Sequence, residues 1–252
     1  KKVMAGLEGQ YEVEWDWHSS AEYLARLEAQ PLGPNLAYLA PYGNIRMCVV
    51  GLENRPATKD EVKKMQDLLE EAILHGAVGL STGLIYPPCN YASEDEIAEL
   101  TKVLTKYGLP LVIHQRSEAD DILNSMDEVV RISRKSGCPI HFSHFKVCGK
   151  KNAHLFDAVM EKLESASKEI AVSFDQYPYT AGSTTFSVIL PPWVHDGGAD
   201  KALARLADPV ARERMKRDIR DGIHGWDNFI DFAGMENISV TFVKTAKNAD
   251  VV

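Results

Sequence analysis

Two short apolar, β-branched runs, each ending in a histidine, constrain this chain more than any other feature. Leu109-Pro-Leu-Val-Ile-His114 runs into Gln-Arg-Ser-Glu, and Pro139-Ile-His-Phe-Ser-His144 runs into Phe145-Lys146. Between them Ile122, Leu123, Met126, Val129, Val130 and Ile132 recur at helical spacing, and Gly137 and Pro139 close that helix and open the next strand. This pattern predicts a strand–helix–strand unit, the repeating piece of a parallel sheet. Parallel neighbours lie about 4.8 Å apart, so histidines at matching strand ends reach one metal ion. Side chains alternate along a strand. Alternation puts Val112 and His114 on one face, and Phe142, His144 and Lys146 on the matching face of the next strand. Inside a barrel, both histidines and Lys146 would point into the mouth, where the carboxyl ends of the strands carry the chemistry. His141 has the opposite parity to His144 and is expected to face the helix layer.

The same alternation runs through the rest of the chain. Ser19 or Ser20 caps a helix with Glu22 in its first turn. Asn35 to Ala40 reads as a buried strand, and Met47 to Val50 is a second apolar run. Thr58 and Glu61 form a capping box that opens a helix through Val62, Met65, Leu68, Leu69, Ala72 and Ile73, with His75 in its last turn and Gly76 as its stop. The next strand carries Gly79 and Gly83, which suggest close backbone approach, and leads to Ser81, Thr82 and Tyr86 at its carboxyl end. Ser93 and Glu96 read as a second capping box, for a helix reaching Gly108. Residues 153–167 are helical, and a strand at 170–174 delivers Asp175, Tyr177 and Tyr179 to its end. Residues 199–221 are helical with a break at Asp208-Pro209, and Ile238-Ser-Val-Thr-Phe-Val reads as a last strand.

Strands alternating with helices mean an α/β fold with a parallel sheet. About six strand-plus-helix units are legible, where a closed barrel needs eight. The expectation is a single partial (β/α) barrel domain over residues 1–252, TIM-like, belonging to a longer protein.

Composition excludes some functions. At 252 residues and 45% hydrophobic, the chain has ample material for a core. A net charge of -8 argues against a nucleic-acid surface. No run reaches the length of a membrane span, and the stretch Lys1–Gly6 lacks the apolar segment of a leader. Cys48, Cys89, Cys138 and Cys148 stand far apart with no Cys-x-x-Cys pair, which fits a reduced, cytoplasmic protein. Cys48 and Cys138, beside apolar runs, are expected to pack inside.

Several stretches carry a family resemblance. They are Trp15-Asp-Trp, Gly76-Ala-Val-Gly-Leu-Ser-Thr-Gly-Leu-Ile-Tyr-Pro-Pro, His114-Gln-Arg-Ser-Glu, Ser143-His-Phe-Lys and Asp175-Gln-Tyr-Pro-Tyr, with the Trp193 loop, Gly197-Gly198 and Asp208-Pro-Val-Ala-Arg behind them. In order and spacing they resemble the D-aminoacylase (N-acyl-D-amino-acid deacylase) group of the amidohydrolase superfamily. The resemblance implies a metal-dependent hydrolase that cleaves the amide bond of N-acyl-D-amino acids. It further implies zinc held by His114 and His144, and substrate contacts from Lys146, Tyr86 and Tyr177. The group completes its metal sites with a cysteine on the second strand, a His-x-His pair on the first and an aspartate, the catalytic base, on the eighth. This sequence has no His-x-His, and none of its four cysteines matches the ligand. The aspartate is expected beyond Val252, so no catalytic base is assigned here. Pro41-Tyr42-Gly43 stands where relatives often have Gly-His-Gly, a departure that bears on substrate preference. A chain lacking these groups is expected not to turn over at an enzymatic rate alone, and to self-associate through open barrel edges.

Each residue has a plainer reading. His114 and His144 could be core histidines, Lys146 a solvated lysine, and Tyr86 and Tyr177 rim aromatics. Asp175 could orient a ligand or simply form a turn. Two other functions fit the architecture: a cyclic-amide hydrolase of the hydantoinase or dihydroorotase kind, and a partial barrel serving as a non-enzymatic interaction module.

Overall fold

The structure, a computed structural model, describes residues 14–30, 32–241 and 243. Its centre is a five-stranded, all-parallel sheet in the order β1 (Ala40–Pro41), β2 (Leu80–Gly83), β3 (Leu111–His114), β4 (Ile140–Phe142), β5 (Val172–Phe174). Sequential order with every connection a helical crossover is the α/β arrangement predicted. Lys1–Gly6 lie outside the described residues.

The helices form where the sequence supplies their ends. α1 (Ser20–Glu28) begins at Ser19, whose hydroxyl accepts from the Glu22 amide. After α2 (Tyr42–Val49), α3 (Lys59–Leu74) starts at the Thr58–Glu61 capping box, with both reciprocal hydrogen bonds made. Thr58→Ala is therefore expected to lower the urea midpoint by the equivalent of about 1 kcal/mol; an unchanged midpoint would show that the box contributes nothing. α4 (Glu94–Tyr107) and α5 (Ile122–Ser136) each end on a left-handed glycine, Gly108 at φ 65° and Gly137 at φ 80°. α6 (Phe156–Ser167) precedes β5, and Asp208 separates α7 (Ala199–Ala207) from α8 (Pro209–Asp221), capping the latter. The short α9 (Phe229–Ala233) follows.

One face of the sheet is apolar and covered by helices. Leu80, Leu111, Ile113, Ile140 and Phe142 pack there with Met65, Leu100, Leu104 and Met126. The opposite face carries Ser81, Gly83, Val112, His114 and His141, all only partly buried. A smaller cluster of Val194, Ala202 and Met215 lies under Trp193, over whose ring Arg214 sits at 4.0 Å. Gly79 confirms the expected close approach: a Cβ there would meet the Pro110 carbonyl oxygen at 2.8 Å.

Four expectations need correction. The strand expected over 35–40 is regular only at Ala40–Pro41, although Tyr38 already accepts from the Val78 amide. Cys48 is exposed, because 47–50 continues a helix and puts that side chain on its outer surface; Cys138 is buried as expected. Residues 238–241 and 243 form no strand, since no neighbour among the described residues pairs with them. The second capping box is only half made. Ser93 caps the Glu96 amide, but the Glu96 side chain turns inward.

Inside, Glu96 meets a buried cation. Its Oε1 accepts from Arg46 Nε at 2.9 Å and from the Tyr42 hydroxyl at 2.5 Å, and its Oε2 accepts from the Ala57 amide at 2.8 Å. Arg46 also donates to the Arg55 carbonyl at 2.6 Å. Tyr42, from the departing Pro-Tyr-Gly stretch, thus points into the core, where burial and then the Glu96 charge raise its phenol pKa.

Candidate metal centre

β3 and β4 place the two singled-out histidines, but not by the parity expected. Their register pairs Val112 with His141 and Ile113 with Phe142. Phe142 is therefore on the helix-covered face, and His141 shares the open face with His114. β4 ends at Phe142, and the chain turns through His144 in a left-handed conformation, φ 39°. That turn, rather than strand alternation, swings the imidazole back over His114. A non-glycine residue at positive φ is uncommon, with histidine among the more tolerant types. Such conformations persist where the surroundings over-determine them.

Asp175 supplies the constraint. Its carboxylate accepts from the His144 amide at 2.6 Å, and its backbone carbonyl accepts from the Phe145 amide at 2.8 Å. The other carboxylate oxygen lies 2.8 Å from His141 Nε2, while His141 Nδ1 lies 2.9 Å from Ser173 Oγ. The hydrogen bond from His141 holds the Asp175 carboxyl below its usual pKa. Asp175 is thus more than a turn former: it clamps the turn that carries His144.

His114 Nδ1 lies 2.8 Å from His144 Nε2. On the other side of the His144 ring, Nδ1 is 3.1 Å from Glu118 Oε1. Glu118 Oε2 accepts from Lys146 Nζ at 2.7 Å, and Nζ also donates to the His144 carbonyl at 2.9 Å. His114, Glu118 and His144 each offer one ligand atom within 4.8 Å of the others. Burial pushes the His114 imidazole down to about 4, so it is neutral at pH 7 with a lone pair to give. Its Nε2 is buried with no hydrogen-bond partner among the described residues, a lone pair that a metal ion would satisfy. Burial would raise the Glu118 carboxyl, but His144, His114 and Lys146 together hold it low. Donor chemistry and the orphaned nitrogen both fit a divalent metal of the zinc kind.

The other singled-out residues surround this group. The Tyr86 ring packs 5.6 Å from His114, centroid to centroid, and its hydroxyl lies 2.8 Å from Thr184 Oγ1. Gly83 makes room for it, since a Cβ there would meet the ring at 2.7 Å. Lys146 Nζ sits 5.5 Å from the centre of the Tyr177 ring. All five residues predicted for the site are thus within one cluster. Sequence reasoning missed Glu118 as a member, although its spacing of four from His114 was a signal. It also missed Asp227, whose carboxylate accepts from the Ser117 hydroxyl and the Glu118 amide and which no local pattern marks.

No family model matches the chain. A D-aminoacylase of Alcaligenes xylosoxydans xylosoxydans is 38% identical over 164 residues, 65% of this chain and 34% of that protein. An N-acyl-D-aspartate deacylase of the same organism is 34% identical over 65% of this chain and 33% of its own length. Among solved structures, a D-aminoacylase described as defining a novel subset of amidohydrolases matches with TM-score 0.63 and 36% identity, over 65% of this chain and 35% of that one. An N-acyl-D-glutamate deacylase of Bordetella bronchiseptica, complexed with zinc and a phosphonate mimic of the tetrahedral intermediate, matches with TM-score 0.64 and 31% identity, over 69% of this chain and 37% of that one. The chain spans about a third of the length of these relatives. In sequence and in structure, this chain is similar over about 65% of its length to D-aminoacylases and N-acyl-D-amino-acid deacylases of the amidohydrolase family.

Proposed function

We propose that this chain carries the metal-ligand and carboxylate-anchoring arc of a (β/α) barrel hydrolase acting on the linear amide bond of N-acyl-D-amino acids. The observation that carries the reading is the single cluster of His114, His144, Glu118 and Lys146 at the carboxyl ends of two adjacent parallel strands. The named relatives are linear-amide deacylases, which supports this reading over a cyclic-amide hydrolase or an interaction module.

His114 and His144 would hold zinc. Bound there, zinc lowers the pKa of its water toward about 7 and polarises a carbonyl. Lys146 presents a cationic tip to the substrate carboxylate, with its Nζ 5.5 Å from the centre of the Tyr177 ring. Tyr86 walls the site beside His114 and offers a phenol hydroxyl, held at present by Thr184.

The test is enantioselective binding to the zinc-loaded chain by calorimetry, with one N-acetyl-D-amino acid and its L-enantiomer. The D-form is expected to bind more tightly. Lys146→Met removes a charge-assisted hydrogen bond worth about 1.5–3 kcal/mol, so it should weaken the D-form by roughly tenfold or more. Equal binding of both enantiomers, or indifference to Lys146→Met, would refute the assignment.

A further inference from the structure

The loop after β3 is held by a carboxylate from a distant part of the chain. Asp227 lies just before α9, 109 positions beyond Glu118, and is buried. One of its oxygens accepts from Ser117 Oγ at 2.6 Å, the other from the Glu118 amide at 2.8 Å. Ser117 Oγ in turn accepts from the Ala119 and Asp121 amides at 3.3 and 3.2 Å, and the Glu118 carbonyl accepts from the Cys148 amide at 2.6 Å. The backbone on either side of Glu118 is therefore fixed from several directions.

The Glu118 carboxylate, so fixed, spans two side chains from the next strand's loop. Oε1 faces His144 Nδ1 and Oε2 accepts a hydrogen bond from Lys146 Nζ. Lys146 Nζ also lies 3.0 Å from His144 Nδ1. Its two shorter contacts, to Glu118 Oε2 and the His144 carbonyl, account for two of its three protons. The arrangement that satisfies both imidazoles has the His144 proton on Nδ1, donated to Glu118 Oε1, while His144 Nε2 is unprotonated and accepts from His114 Nδ1–H at 2.8 Å. Imidazole ligands are commonly oriented in this way by a carboxylate on the far nitrogen.

We infer that Asp227 and Glu118 are positioning residues acting in series. Asp227 sets the Ser117–Glu118 backbone, and Glu118 fixes the His144 tautomer and the Lys146 ammonium together, so that metal ligand and cationic anchor are held as one rigid pair. The orienting step stands on geometry alone; the roles of His144 as metal ligand and of Lys146 as carboxylate anchor rest on the proposed function.

Long-range nitrogen–proton correlation spectra of the histidine rings test this in the metal-free full chain, with no substrate or turnover. Wild type is expected to show His144 as the Nδ1–H tautomer. Glu118→Gln and Asp227→Ala should convert that pattern to a mixture of tautomers. Asp227→Asn, which keeps an oxygen for one of the two donors, should restore most of it. His75 and His154, whose Nδ1 atoms donate to the Glu71 and Lys151 carbonyls only while their local helical turns are intact, report whether each variant remains folded. If Asp227→Ala does not fold, Asp227→Asn and Asp227→Ser take its place, with the serine variant expected to be the more disturbed. In parallel, Glu118→Gln should weaken zinc binding about 10–100-fold, the usual effect of losing an orienting partner. An Nε2–H tautomer in wild type, or a His144 pattern unmoved by Glu118→Gln, overturns the inference. A pattern unmoved by all Asp227 variants overturns the part assigned to Asp227. None of these outcomes depends on whether the chain recognises N-acyl-D-amino acids.

Discussion

Glu96→Ala is expected to cost about 3–5 kcal/mol, the usual penalty for removing one partner of a buried ion pair. Arg46 is fully buried, and with Glu96 gone its guanidinium would keep, among the described residues, only the Arg55 carbonyl as an acceptor. The Tyr42 hydroxyl and the Ala57 amide would lose their acceptor at the same time. Few alternatives are open to these groups, because Arg46 Nη1 already lacks a partner among the described residues. The size of the effect distinguishes this pair from the surface ones. Lys63–Asp67 and Lys102–Glu99 are exposed on both sides, where solvent screens the attraction, and should contribute little. The double variant Arg46→Met, Glu96→Leu replaces charge with similar apolar volume and should recover much of the loss. Urea unfolding of the three proteins decides the matter. A Glu96→Ala loss below about 1 kcal/mol would mean that water reaches Arg46 and that the pair is not buried in solution.

That pair also marks where sequence reasoning reaches its limit. Helices α3, α4 and α5 were legible because their signals are local: apolar residues at helical spacing and a closing glycine in all three, with a capping threonine or serine for α3 and α4. Ser93 and Glu96 carried the capping-box signature, yet Glu96 spends its carboxylate on Arg46, 50 positions away. No local pattern encodes such a partner. The meeting of His114 and His144 was anticipated through strand alternation, but β4 stops two residues short of His144 and the Asp175 clamp bends the chain. The destination was right because strand register brings the two loops together, whatever the parity. Asp227 illustrates the remaining gap, since a lone acid in a loop acquires meaning only from what folds against it.

His114→Ala is expected to remove zinc binding by the purified chain, measured as metal per protein after dialysis against trace zinc. The argument begins with the ring's electrostatics. A histidine that stays neutral well below pH 6 competes weakly for protons and so remains a ligand in mildly acidic solution. Burial holds His114 at about 4, against an ordinary 6.5. The folded chain therefore binds fewer protons than the unfolded chain between those two values. Metal-free stability accordingly rises with pH across that window and, for this group, is flat above it. At 1.36 kcal/mol per pKa unit the span is roughly 3 kcal/mol. The held-down Glu118 carboxyl adds to the loss at the acid end, while Asp227, which burial pushes up, works in the opposite direction. Comparing wild type with His114→Ala isolates the imidazole, and the variant should lose much of the slope between about pH 4 and 6.5. Zinc should stabilise wild type by about 2.7 kcal/mol at a hundredfold excess over its Kd, and chelation should reverse this. The variant should show neither effect. If His114→Ala retains zinc with wild-type affinity, the orphaned Nε2 is not part of a metal site. If its pH slope also matches wild type, His114 is hydrated and protonates normally.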